Sequence, residues 1–210
     1  GSYAHGFADE NSDKDYRAVY VLPTSKIVSL GYKYKGTDWV EGNDDNTAYE
    51  IGHFLHLATK CNPAILEVFK APIVEATKDG EKLIKLFPFV WEPKRAFDAF
   101  VGYGLNQRKK FLDKKDNRQN KYASAYIRTL WCLNELLYND TFSVEVKEPP
   151  IKSKLLRYRQ GKYRVGEVID WAETLAYMAR LRLEKCKHKP DLDKVNEFLI
   201  KIRKKFWLIE

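Results

Sequence analysis

Gly1-Ser2-Tyr3-Ala4-His5-Gly6-Phe7-Ala8-Asp9-Glu10-Asn11-Ser12-Asp13-Lys14-Asp15-Tyr16-Arg17, running on into Ala18-Val19-Tyr20-Val21-Leu22, decides how the rest of the chain is read. Residues 16–22 are rich in β-branched and aromatic side chains and stop at Pro23, the pattern of a strand. Asp13 and Asp15 sit two apart at its mouth. Strand side chains alternate between faces, so these two carboxylates project together while Lys14 points away. Like charges on one face repel, and a shared cation keeps both ionised most easily. Hard carboxylate oxygens suit Mg²⁺ or Mn²⁺, which retain waters and bind through one or two carboxylates plus substrate phosphates. Upstream, a glycine lets the backbone approach a phosphate closely, and a serine hydroxyl with neighbouring N–H groups can hold phosphate oxygens. Gly1 and Ser2 are therefore candidate phosphate ligands. Arg17 lies one pleat after Asp15 on the same face, where it serves either a phosphate or a structural ion pair.

Working outward, Asn46 to Lys60 places Ile51, Phe54, Leu55, Leu57 and Ala58 at helical spacing, and Asn62-Pro63 opens a second short helix ended near Pro72. Residues 95–112 and 121–138 read as two longer helices around an exposed, charged segment, Asp113 to Asn120. Thr141 to Val146 alternates Phe142, Val144 and Val146 and reads as a short strand, with Glu148-Pro149-Pro150 as a turn. Lys152 to Arg159, Val165 to about Cys186 and Asp191 to about Phe206 complete the helices, punctuated by Gly161 and Pro190. No repeat, low-complexity tract or long linker interrupts the chain.

The 210 residues carry 37 Lys plus Arg against 29 Asp plus Glu, with 44% apolar and 14% aromatic side chains, a soluble globular composition. Residues 1–105 are net −3 and residues 106–210 net +11. That asymmetry fits a site concentrating carboxylates beside a surface that attracts a polyanion, or a set of exposed Lys-rich helix faces. Cys61, Cys132 and Cys186 are widely separated and lack a CxxC, which excludes a disulfide framework or a Cys-based zinc site and points to a reducing compartment. No run approaches the roughly 18 apolar residues of a membrane span, and no secretory pattern opens the sequence. The expectation is a cytoplasmic protein with no membrane contact.

Gly-Ser, a ten-residue gap and Asp-x-Asp entering a strand resemble the signature of the DNA polymerase β-like nucleotidyltransferase superfamily. Ser12 to Val21, Asp45-Asn46-Thr47-Ala48-Tyr49-Glu50-Ile51 leading into Phe54-Leu55, and Asn62-Pro63-Ala64-Ile65-Leu66-Glu67 are similar to its bacterial and phage branch associated with RNA repair. Lys121 to Arg128 and Leu155 to Lys162 look like later parts of the same pattern. The family has an apolar element immediately before the Gly-Ser turn, whereas this chain begins at the glycine; the spacing and the following Tyr-Ala-His-Gly mark Gly1 and Ser2 as motif residues.

The resemblance implies an α/β (α+β) fold, with a small mixed-sheet nucleotidyltransferase core over residues 1–92 and a basic, mainly helical region over 93–210. It implies three carboxylates holding two Mg²⁺ or Mn²⁺ ions, a metal pair that stabilises attacking and leaving oxygens together. Asp13 and Asp15 match the first two, and Asp45 is chosen as the third over Asp44 or Glu50. Gly1 and Ser2 would hold the β- and γ-phosphates of a nucleoside triphosphate such as ATP. By analogy with related nucleotidyltransferases, Lys121, Tyr122 and Ser124 would contact the triphosphate, although the face shared by 121, 124 and 128 is equally readable as solvated. The implied reaction transfers a nucleoside monophosphate to an acceptor hydroxyl, with an RNA end as the favoured acceptor. Nucleotidylation of a protein or small molecule, and a non-catalytic RNA-binding role, are the alternatives.

His53 and His56 lack the companions of a zinc site. Of the histidines near motifs, only His5 belongs to the loop after Gly-Ser. Glu67 resembles a family position and is read as packing or supporting rather than catalytic. Two clusters, Gln107 to Lys110 after Gly102-Tyr103-Gly104, and Lys152, Lys154, Arg157, Arg159 and Lys162, interleave cations with aromatics as nucleic-acid surfaces do.

Overall fold

The computed structural model describes residues 1–10, 12, 14–33, 35–39 and 46–208. Strand β1, Arg17–Tyr20, falls inside the expected strand, and β2, Thr37–Trp39, and β3, Thr47–Glu50, complete a mixed sheet in the order β1-β3-β2. β1 and β3 run parallel, with Arg17 opposite Thr47 and Tyr20 opposite Glu50, while β2 is antiparallel to β3. The chain between β1 and β2 includes a single-turn helix, α1, Thr24–Ile27. The helix expected from Asn46 instead begins at Ile51, because Thr47, Ala48 and Tyr49 are taken into the centre of the sheet. Ala48 and Glu50 are buried while Thr47 and Tyr49 are partly exposed, the period of a strand rather than a helix.

Glu50 marks the change of period. Its backbone is extended (φ −65°, ψ 136°), and its carboxylate accepts from the Gly52 N–H at 2.7 Å as the N-cap of α2, Ile51–Thr59. Asn62 caps α3, Pro63–Lys70, with Pro63 at the first turn as the Asn-Pro pair predicts. Then follow α4, Lys78–Ile84, and α5, Phe87–Val90, which periodicity over so few residues does not reveal, and the long α6, Pro93–Leu112, and α7, Gln119–Asn139. The last helices are α8, Pro149–Arg159, α9, Val165–Lys185, and α10, Leu192–Lys205. Pro149 opens α8, so Glu148-Pro149-Pro150 is a helix start rather than a turn.

The strand expected at Thr141 to Val146 does not form, although its alternation is real. Phe142, Val144 and Val146 are 3%, 2% and 1% exposed. Phe142 and Val144 enter the larger core with Ile65, Leu66, Trp91 and Leu133, and Val146 enters a smaller one with Phe7, Ile127, Leu155 and Tyr158. Period-2 burial needs only one apolar side, whereas a strand also needs a ladder partner. α7 contributes Leu133 and Leu136 to the first core and Ile127 and Leu130 to the second. The larger core draws side chains from both sides of residue 92.

The C-terminal helix closes back onto the sheet. Arg203 forms an ion pair with completely buried Glu50, Nη1 to Oε1 at 2.6 Å and Nη2 to Oε2 at 2.8 Å. Nearby, the Thr24 N–H donates to the Phe206 carbonyl at 2.8 Å and the Ser25 N–H to that of Trp207 at 3.0 Å. A buried carboxylate stripped of its cation is costly. Arg203→Ala is therefore expected to lower unfolding free energy by about 3–5 kcal/mol, with the double variant Arg203→Ala, Glu50→Gln less destabilised than the single. Chemical denaturation of the three proteins checks this, and equal single and double losses would remove Glu50 from the account.

Candidate active site at the N-terminal turn

Residues 1–7 form one tight turn. His5 N–H donates to the Gly1 carbonyl at 3.3 Å, Gly6 N–H to Tyr3 at 3.1 Å, and Phe7 N–H to Ser2 at 3.0 Å. The last two bonds, with Gly6 at φ +71°, are a Schellman closure, which places a glycine where the chain turns left-handed. A Cβ at Gly6 would also come within 2.8 Å of the Glu145 side chain. Phe7, 5% exposed, pins the end of the turn into the smaller core.

The turn lies against the mouth of β1. Gly1 nitrogen is 3.6 Å from Asp15 Oδ2, and a Cβ on residue 1 would meet that oxygen at 1.9 Å, so a side chain there would displace the carboxylate. From the other side, Arg159 at the end of α8 reaches Ser2, with Nη2 to Oγ at 3.4 Å, while its guanidinium lies 5.6 Å from the Phe7 ring centre. Burial lowers the Arg159 pKa below its usual value, and the Asp9 carboxylate acts in the opposite sense. Asn46 ties the mouths of β1 and β3 together, its Oδ1 accepting from the Tyr16 N–H at 2.8 Å.

A largely buried trio anchors the turn. Arg128 of α7 donates from Nη1 to Glu67 Oε1 of α3 at 2.5 Å, and His5 Nε2 lies 3.2 Å from the other carboxylate oxygen. Burial and the Arg128 charge push His5 down to about 4, against the pull of Glu67. For Glu67, burial acts upward but Arg128 and the His5 hydrogen bond outweigh it, holding the carboxyl at about 2. His5 is therefore neutral near pH 7 and donates to a permanent carboxylate.

The structure thus gathers Gly1, Ser2 and Asp15, and adds Arg159, Arg128 and Glu67 to them. Asp13, Asp45 and the alternative Asp44 lie outside the described residues. The other alternative, Glu50, is committed to Arg203 and to capping α2. Arg17 on β1 donates to the Tyr16 carbonyl at 3.0 Å. Lys121 is exposed, Ser124 is buried, and Tyr122 is 3.4 Å from Asp116 in the turn before α7, with Lys110 over its ring. Among the described residues no three metal-binding side chains come together. Asp15 itself fits a divalent cation: a hard oxygen donor, 17% exposed, beside a glycine whose missing side chain lets the turn approach it. Arg128 and Glu67 carried one available signal in the sequence, since each is a lone charge inside an apolar run, Tyr126-Ile127-Arg128-Thr129-Leu130 and Ile65-Leu66-Glu67-Val68-Phe69. Such charges, when buried, are paired.

The model of the RNA repair pathway DNA polymerase beta family matches residues 1–199. The chain is also similar to the uncharacterized protein YcgL of Bacillus subtilis (strain 168), 26% identical over 184 residues that cover 81% of this chain and 69% of that one. No solved structure matches it. None of the helices among the described residues is long and apolar enough to cross a membrane.

The trio sets an acid limit on stability. Between pH 6.5 and about 4 the unfolded chain protonates His5 while the folded one does not, and below 4.5 the same holds for Glu67 down to about 2. The unfolded state binds more protons in both windows, so this stabilisation is complete above pH 6.5 and drains away as pH falls. Melting temperature is expected to drop steadily from neutral pH to about pH 4, and His5→Asn to flatten the part between 6.5 and 4. Parallel curves for variant and parent would exclude His5 as the source.

Proposed function

This chain belongs to the RNA repair pathway DNA polymerase beta family, and from that premise we propose that it transfers a nucleoside monophosphate from a nucleoside triphosphate to the hydroxyl of an RNA end. The observation that carries the reading is the packing of the Gly1-Ser2 turn between the Asp15 carboxylate and the Arg159 guanidinium.

Each residue then has a task. Gly1 leaves the backbone open to phosphate oxygens, and the Ser2 hydroxyl and Arg159 bind the β- and γ-phosphates, the guanidinium offering a planar fork of donors. Asp13, Asp15 and Asp45 are the ligands for Mg²⁺ or Mn²⁺, which when bound supplies positive charge between the carboxylates and the triphosphate. Asp45 precedes Asn46, whose side chain is bonded to Tyr16, so in sequence it stands one residue from the anchored mouth of the sheet. Its carboxylate accepts the proton of the attacking hydroxyl. The hydroxyl oxygen forms a bond to the α-phosphorus as the bond from that phosphorus to the bridging oxygen breaks, and pyrophosphate leaves with the electron pair. Ser2 and Arg159 stabilise the charge that accumulates there. His5, kept neutral by burial and the Arg128 charge and hydrogen-bonded to Glu67, keeps the turn in place without adding charge next to the phosphates. An RNA acceptor is supported by the family and by the +11 charge of residues 106–210.

Incubation with each α-labelled nucleoside triphosphate, Mg²⁺ or Mn²⁺, total RNA and protein should label RNA. Asp15→Asn should cut that labelling by roughly 100-fold or more while leaving the fold intact. Label confined to protein would replace the acceptor, and absence of label from a folded wild-type chain with all four triphosphates would overturn the reading.

A further inference from the structure

The cations of α8 and the turn after it form one cluster in the sequence, but the structure divides them by what they touch. Lys152 pairs with Glu145 at 3.1 Å. Lys154 pairs with Glu167 at 3.5 Å and lies 4.2 Å from the Trp171 ring centre. Arg159 is turned to Ser2. Arg157, Lys162 and Arg164 remain, all exposed, and among the described residues none of the three is in an ion pair with a carboxylate.

These three surround a hollow of about 550 Å³, completed by Tyr163 and Glu167. Glu167 offsets only part of the charge of these three cations: its carboxylate accepts from the Tyr158 hydroxyl at 3.1 Å, faces Lys154 and also feels the Arg157 charge. The walls are fixed from several directions. Lys162 N–H donates to the Arg157 carbonyl at 2.9 Å. The Tyr163 hydroxyl donates to Asn120 Oδ1 at 2.8 Å, and its ring meets Phe111 and Tyr158 edge-on. Gly161 takes φ +74° against the same Asn120, leaving only 3.0 Å to Nδ2 for any Cβ. The loop is thereby held to the start of α7, so its cations are presented on a fixed frame.

We propose that this hollow holds phosphodiester groups of the acceptor RNA strand. The assignment rests on reading the Gly-Ser turn as the triphosphate site. Arg157 and Arg159 are two residues apart on α8 and so point to nearly opposite flanks, about 200° apart at 3.6 residues per turn. One arginine serves the triphosphate and the other serves the strand, with a single helix, about 10–12 Å across, setting the distance between them. Unpaired Lys and Arg are what a polyphosphate backbone recruits, with release of its counterions supplying the affinity. The Tyr163 ring is used up in packing, so the hollow contacts backbone and not base, and binding is indifferent to sequence.

The test is anisotropy of a 5′-labelled single-stranded RNA across a salt series, comparing the wild-type chain with the Arg157→Ala, Lys162→Ala, Arg164→Ala triple variant, alongside calorimetry of Mg²⁺-nucleoside triphosphate binding. Three lost phosphate contacts should reduce the slope of log affinity against log salt by about 2, weaken RNA binding roughly tenfold or more at about 0.1 M salt, and leave triphosphate affinity unchanged. An unaltered slope and affinity would overturn the proposal, as would failure of the wild-type chain to bind RNA. Parallel loss of triphosphate affinity would overturn it too, by making the hollow a triphosphate site. If the variant loses RNA affinity but the wild-type chain transfers no nucleotide, the strand site stands and the proposed reaction falls.

Discussion

The buried contact between Glu67 and Arg128 is the point on which the site turns. Arg128 is buried and Glu67 largely so, and neither charge would tolerate that burial alone; together they join α3 to α7. His5 adds the N-terminal turn to the same pair. Three segments far apart in sequence are therefore located by one carboxylate, and an error in any of them is felt by the other two. The pair does little for net stability compared with an apolar replacement. Its value lies in fixing where the Gly-Ser turn sits relative to β1.

From that fixed turn the remaining geometry follows. Gly1 rests on Asp15 because no side chain intervenes, and Arg159 finds Ser2 because Phe7 and Tyr158 bury α8 in the same small core as the end of the turn. The acidic and basic halves of the chain meet here. The carboxylate comes from the first half and the guanidinium from the second, so the charge asymmetry along the sequence becomes a charge contrast across one turn.

Much of this was legible in advance, for identifiable reasons. The strand at Arg17–Tyr20 and the long helices carry enough period to declare themselves, and the Gly-Ser and Asp-x-Asp motifs pointed to one end of that strand. β3 was hidden because Thr47 to Glu50 runs directly into α2, and four residues cannot establish a period beside nine helical ones. The alternation at 141–146 reported burial correctly but said nothing of pairing, since pairing depends on where another strand lies. Arg159 and Arg157 looked equivalent in the sequence; only the packing of α8 sends one to the turn and the other to the hollow. Glu67 and Arg128 could each be noticed as charges in apolar runs, yet their partnership spans 61 residues and no local rule connects them.

The return of α10 to the sheet also bears on how the protein is made. Glu50 waits for Arg203, and the first turn of α1 waits for the carbonyls of residues 206 and 207. Chains emerge from the ribosome N-terminus first. The sheet half is thus synthesised early but cannot reach its finished form until residue 207 has cleared the exit tunnel. During that interval the carboxylate of Glu50 lacks its cation. Maturation of the acidic site therefore follows synthesis of α10 rather than synthesis of the residues that compose the site.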